Sequence, residues 1–202
     1  MQLQGALLIG GQSSRMGRPK SRIPLGDTTW GRYLCELLRK VTQSDPVLVG
    51  EGSIGDDDAA FTRIADIEAG AGPLSAMLGL YRAFPQHDFL VLATDLPNLN
   101  AKALNWLIDQ AQQTEQAVVW PRFPDVERGE PLAAYYRANA HPLLQAAWDK
   151  GTRGLIKGLD PKNRHEPVIP DTLLACFDNF NKPEDLARLW DDEAPPEPHT
   201  ED

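Results

Sequence analysis

Ala6-Leu7-Leu8-Ile9-Gly10-Gly11-Gln12-Ser13-Ser14-Arg15-Met16-Gly17-Arg18-Pro19-Lys20 is the stretch from which the fold is read. Four consecutive apolar residues ended by a glycine pair suit a strand buried on both faces. The glycines remove side chains where backbone must pass close to something, and leave N–H donors free to point one way. Arg15, Arg18 and Lys20 bring positive charge into this loop. Free N–H donors plus cations suit a bound triphosphate, and would stabilise charge that builds during phosphoryl or nucleotidyl transfer. Two familiar phosphate loops do not match. A Walker A loop needs Gly-Lys-Ser/Thr, whereas Arg18-Pro19 separates Gly17 from Lys20. The dinucleotide fingerprint needs a glycine spacing that Gly10, Gly11 and Gly17 do not supply.

Outward from that loop, strand-like and helix-like patterns alternate. Trp30, Tyr33, Leu34, Leu37, Leu38 and Val41 follow helical spacing, Val47-Leu48-Val49 reads as a buried strand, and Thr62-Arg63-Ile64-Ala65 as a short one. Leu74, Met77, Leu78 and Tyr81 repeat the helical spacing after Gly72-Pro73. Phe89-Leu90-Val91-Leu92-Ala93 is the clearest strand, Asn100 is placed to cap a helix carrying Leu104, Leu107, Ile108 and Ala111, and Ala117-Val118-Val119-Trp120 reads as a further strand. The alternation predicts an α/β fold, a single three-layer domain whose mainly parallel sheet carries helices on both faces. In such sheets ligands bind at the carboxyl ends of the strands, where the direction of winding reverses.

The composition narrows the function. The chain has 202 residues and a net charge of −9, with 20 Lys and Arg against 29 Asp and Glu, which disfavours a nucleic-acid surface or an anionic membrane as partner. Cys35 and Cys176 are the only cysteines, against a disulfide scaffold or a cysteine-rich zinc site. With no secretory signal or spanning segment in the sequence, a cytoplasmic location is expected. Residues 191–202 hold three prolines and six acidic residues and no Lys or Arg, so most of the net charge resides there. The expected organisation is a folded unit over 1–190 and a disordered acidic tail over 191–202.

Single residues then stand out. Asp95, directly after the clearest strand, is a natural Mg²⁺ ligand beside a triphosphate, and also suits a turn before Leu96-Pro97. Pro73 suits a first helical turn, and Asn181, with Pro183 and Glu184 after it, suits an N-cap. Arg153, in Gly151-Thr152-Arg153-Gly154 at the start of a further helical stretch, is either a solvated cation or a partner for an acceptor phosphate. His87, His141, His165 and His199 show no metal-ligand spacing, and both cysteines read as core residues.

Gly-Gly-x-Ser-x-Arg-Met-Gly-x-x-Lys after the first strand resembles the signature of the nucleotidyltransferases related to molybdenum cofactor guanylyltransferase. Further matches follow in order at Ala71-Gly72-Pro73-Leu74, Thr94-Asp95-Leu96-Pro97 and Asn179-Phe180-Asn181-Lys182-Pro183-Glu184-Asp185-Leu186. The resemblance implies a Rossmann-like nucleotidyltransferase with GTP and molybdopterin as substrates, Mg²⁺ as cofactor, and molybdoenzymes or their chaperones as further partners. It implies Arg15, Lys20 and Asp95 as catalytic residues, with Asp95 on the metal. Leu8, Ile9, Gly10, Gly11, Lys20, Asp66 and Asp95 would bind the nucleotide, and Asn179, Asn181 and Arg153 would face the acceptor. Gly10-Gly11 favours GTP, since cytidylyl relatives tend to have Ala-Gly there. The chain departs from the family pattern at Ile9, where alanine is usual, at Gly50-Glu51, where an asparagine is common, and at Glu130, where a histidine is frequent. Two alternatives stay open on sequence alone: a cytidylyl- or other nucleotidyltransferase with a different phosphorylated acceptor, and a nucleotide-binding protein without turnover.

Overall fold

A computed structural model of the chain describes residues 2–10, 19–56 and 58–179. Gly11, Arg15, Asn181 and the acidic tail therefore lie outside the described residues. In chain order the strands are β1 (Leu3–Leu8), β2 (Pro24–Leu25), β3 (Thr28–Thr29), β4 (Val47–Val49), β5 (Arg63–Ile64), β6 (Asp88–Ala93), β7 (Val118–Val119), β8 (Ala133–Tyr136) and β9 (Arg164–His165). The α-helices are α1 (Trp30–Thr42), α2 (Pro73–Ala83), α3 (Ala101–Gln112), α4 (His141–Asp149) and the single turn α5 (Leu155–Gly158).

Seven strands form one sheet in the order β5-β4-β1-β6-β8-β7-β9, and β2 pairs with β3 in a separate hairpin. The first four of these run parallel, and β8 lies antiparallel to both β6 and β7. The expected three-layer α/β domain with a mainly parallel sheet is what forms. Alternate residues of the central strands face opposite layers. Leu7, Leu48, Leu90 and Leu92 pack with Leu34 and Leu38 of α1 and Leu104 and Leu107 of α3. Ala6, Leu8, Val47, Val49, Phe89 and Val91 pack with Leu74, Met77 and Tyr81 of α2, Leu144 of α4 and Leu155 of α5. Phe89, Leu90, Val91 and Leu92 are fully buried, each contributing up to roughly 1.5–3 kcal/mol relative to exposure. Covering on both faces is why β6 reads as a continuous apolar run.

Winding reverses at β1. The chain leaves β1 through α1 to β4 on one side, and returns from β5 through α2 to β6 on the other. Caps bound these helices: Thr29 Oγ1 accepts from Arg32 N at 3.2 Å, and Asn100 Oδ1 from Ala103 N at 3.0 Å, as its position suggested. The β2–β3 hairpin and β9 escaped sequence reading because Pro24-Leu25, Thr28-Thr29 and Arg164-His165 form no apolar run. α4 escaped it because its buried face amounts to Leu144 and Ala147. Both Cys35 and Cys176 are buried, and burial pushes the Cys35 thiol up to about 12. No helix among the described residues is long and apolar enough to cross a membrane.

α2 approaches β5 closely at Gly79, where an added Cβ would sit 2.3 Å from the Ala65 carbonyl oxygen. Alanine is favoured over glycine in helix interiors by about 1 kcal/mol. Overpacking against backbone costs roughly 1–3 kcal/mol, so Gly79→Ala is expected to destabilise the protein despite the propensity gain. A denaturant midpoint above wild type for that variant would contradict this packing.

Candidate active site

The carboxyl ends of β1, β4 and β6 open into a cleft of about 940 Å³. Leu8, Ile9, Gly10, Lys20, Asp66 and Asp95, all singled out in the sequence, line it together. The position is the one expected of an open α/β sheet, at the reversal of winding.

One wall is backbone against backbone. Ile9 N and Gly10 N both donate to Val49 O, at 2.9 and 3.2 Å. Gly50, with φ +94°, lies so close that a Cβ there would stand 2.8 Å from Gly10 Cα. A Cβ on Gly52 would fall 1.9 Å from Ile9 O, so any side chain at either position would force the wall apart. Arg63 Nη1 donates to Gly50 O at 2.7 Å and to Gly52 O at 2.8 Å, while its Nη2 meets Asp58 Oδ2 at 3.0 Å. That guanidinium fixes both carbonyls flanking Glu51, which also lines the cleft.

The opposite wall is the segment between β5 and α2. Buried Ser75 accepts from Glu68 N and donates to Glu68 O, both at 2.8 Å, tying the segment to the first turn of α2. Pro73 occupies the first turn, as expected, and Gly72 and Pro73 border the cleft. Asp66 Oδ1 is buried without a hydrogen-bond partner among the described residues. Desolvation, and secondarily the Glu51 charge, hold its carboxyl above the ordinary carboxylate range.

Lys20 opens a 3₁₀ turn, Lys20–Arg22, whose Ser21 hydroxyl is buried and donates to Ser53 O at 2.6 Å. Asp95 stands just past β6, where Trp30 Nε1 donates to Thr94 O at 3.2 Å and braces the turn. Burial raises the Asp95 carboxyl, and the nearby Lys20 charge pulls it back. Beyond β6 and β8 the ladder opens, with Ala93 N still donating to Leu132 O at 2.7 Å. Glu130 stands there, its Oε1 accepting from Leu132 N at 3.0 Å. Burial raises Glu130 and the Asp95 charge adds to that, while the Asn179 side chain donates to it.

Arg153 is not among the cleft's lining residues. Its guanidinium stacks 3.7 Å over the Trp148 ring and donates to Trp148 O and Thr152 O, each at 3.2 Å. Arg63, Ser21, Ser75 and Trp30 had no functional signal in the sequence, since each acts through backbone contacts made distant in the chain. Glu51 and Glu130 drew notice only as departures from a pattern. The spacing Gly50-Glu51-Gly52 was the available cue, because paired glycines around one polar residue mark a tight backbone approach.

Residues 5–168 match the model of the MobA-like NTP transferase domain family. A probable molybdenum cofactor guanylyltransferase of Opitutus terrae is 28% identical over 193 residues, covering 92% of this chain and 94% of that protein. Another, of Pyrococcus furiosus, is 26% identical over 191 residues, covering 92% and 95%. Among solved structures, the molybdopterin-guanine dinucleotide biosynthesis protein A of Archaeoglobus fulgidus superposes with a TM-score of 0.73 at 24% identity, covering 92% of this chain and 95% of that one.

A carboxyl whose pKa is higher in the folded than in the unfolded chain favours folding while protonated, and that contribution is lost as pH rises through its folded value. Asp95 is such a group, raised by burial. Asp95→Asn, neutral throughout, is therefore expected to raise the thermal midpoint of the ligand-free protein at about pH 7, with an advantage that shrinks towards about pH 4. Thermal unfolding across pH checks this, and a lower midpoint near neutrality would contradict it.

Proposed function

This chain belongs to the MobA-like NTP transferase domain family, and on that footing we propose that it transfers GMP from GTP to the terminal phosphate of molybdopterin, giving the guanine dinucleotide cofactor and pyrophosphate. The observation that carries the reading is the placement of Lys20 and Asp95 in one cleft over the strand ends, at the reversal of winding. The relatives' names support the acceptor, and Gly10-Gly11 supports GTP over CTP.

The acceptor phosphate is already an anionic nucleophile, so the reaction needs no strong general base. Its oxygen bonds to the α-phosphorus of GTP as the bond to the β-phosphate oxygen breaks, and pyrophosphate leaves with that electron pair. The task left to the protein is to hold two anions in line and to neutralise the charge between them. Lys20 would hold the leaving β,γ-phosphates together with Arg15. The bare backbone at Gly10 would admit the sugar or base, with Asp66 beyond it. Asn179, bonded to Glu130 beside Asp95, would face the acceptor along with Asn181.

Among the described residues no three His, Cys, Asp or Glu side chains converge on one point. Magnesium does not require that, since it takes one or two carboxylates with phosphate oxygens and water. Asp95, a hard oxygen donor whose charge is poorly solvated, fits that need, and ion binding would relieve the cost of its burial. Bound there, Mg²⁺ would withdraw negative charge from the phosphate oxygens.

Pyrophosphate release from GTP, dependent on both molybdopterin and Mg²⁺, is the expected activity. Lys20→Ala is expected to lower turnover by at least ~10²-fold, the scale of removing one group that stabilises developing charge. Near-normal turnover in that variant would remove Lys20 from the mechanism. In the same assay Asp95→Asn is expected to weaken the magnesium dependence, and an unchanged Mg²⁺ titration would exclude Asp95 as the ligand.

A further inference from the structure

Glu51 sits at the rim of the cleft, on a turn that is held from three directions. Gly50 is pressed on Gly10, Gly52 on Ile9, and Arg63 binds the carbonyls of both glycines while pairing with Asp58. The backbone on each side of Glu51 is thereby fixed, and the exposed residue lines the cleft from a rigid base. Its neighbour across that space is Asp66, at the end of the adjoining strand β5. Asp66 Oδ1 is buried and lacks a donor among the described residues. Burial raises the Asp66 carboxyl, and the Glu51 charge adds to it, so the two carboxylates repel one another. Ionised carboxylates only accept hydrogen bonds. A ligand edge made of adjacent donors would satisfy both and relieve the repulsion.

We propose that Glu51 selects the base of the bound nucleotide by accepting a hydrogen bond from the exocyclic 2-amino group of guanine, with the deeper Asp66 accepting from the ring N1–H. Guanine alone among the four common bases places an amino and a ring N–H donor side by side. Adenine and cytosine set a ring nitrogen acceptor beside their amino group, and its lone pair would face a carboxylate. Arg63 is the positioning residue, acting on Glu51 through the turn. The assignment rests on the cleft being the GTP site, and it makes the guanine preference a property of the Gly50–Gly52 wall as well as of the loop after β1.

Hypoxanthine keeps N1–H and lacks the 2-amino group, so ITP isolates the Glu51 contact. Calorimetric binding of GTP, ITP and CTP to the full chain with Mg²⁺ is the test, on wild type, Glu51→Ala, Glu51→Gln and Arg63→Lys. Wild type is expected to bind ITP roughly 10-fold more weakly than GTP, the scale of one hydrogen bond to a charged group. Glu51→Ala is expected to bring the two within about 2–3-fold by weakening GTP and leaving ITP nearly unchanged. Glu51→Gln, which retains an acceptor oxygen, should fall between, and Arg63→Lys should narrow the ratio by loosening the turn. Equal binding of GTP and ITP by wild type, or an unchanged ratio in Glu51→Ala, overturns the role of Glu51 alone. Tighter binding of CTP than GTP, or no binding of any of the three, overturns instead the guanylyltransferase reading on which it rests.

Discussion

Everything around the cleft depends on how closely the chain leaving β1 runs against the chain leaving β4. Ile9 and Gly10 both donate to one carbonyl, Val49 O, and the approach is tight enough that neither Gly50 nor Gly52 has space for a methyl group. Two strands that merely pair side by side would have side chains standing between their exits. Here backbone fills that position, and the surface presented to a ligand is made of peptide groups. Arg63 closes the arrangement from outside by binding the two carbonyls that the tight turn leaves exposed. Glycine adopts the positive φ at Gly50 without strain, and the loss of two side chains is offset by those hydrogen bonds and by the buried contacts of Val47, Leu48 and Val49 beneath.

Charge is distributed unevenly around that wall. Phosphates and a base demand opposite electrostatics, and under the proposed function each would take its own side of the cleft. Lys20, on the turn anchored by Ser21, lies near Asp95, while Glu51 and Asp66, with Arg63, line the side of β4 and β5. Three of these groups are carboxylates, and burial raises both Asp66 and Asp95. Burial leaves these carboxylates poorly solvated, and a bound cation or N–H donor would relieve that cost.

Much of this was legible in the sequence, and the reason differs by element. β6 and α1 declare themselves because each is covered along its length, so the apolar run and the helical period survive in the residues. Asp95 stands out because it follows a strand, and the strand ends of an open α/β sheet are where ligands bind, whereas Asp66 is singled out only by the family resemblance. β2, β3 and β9 are two residues long and, unlike β7, hold no apolar run to mark them. Arg63 was invisible for a similar reason. Its role lies in two carbonyls eleven and thirteen residues away, and a backbone carbonyl has no residue identity to read. Glu130 looked like a departure from a pattern, and only the opening of the ladder between β6 and β8 shows that it stands beside Asp95.

The most direct test is a crystal structure of the protein with GTP and Mn²⁺ in place of Mg²⁺, with the metal located by its anomalous scattering. The expected result is a metal peak at the Asp95 carboxylate, the β,γ-phosphates at Lys20, and the guanine edge between Glu51 and Asp66. Phosphates lying along the Gly50–Gly52 wall, or a metal bound away from Asp95, would contradict the division of the cleft on which the mechanism rests.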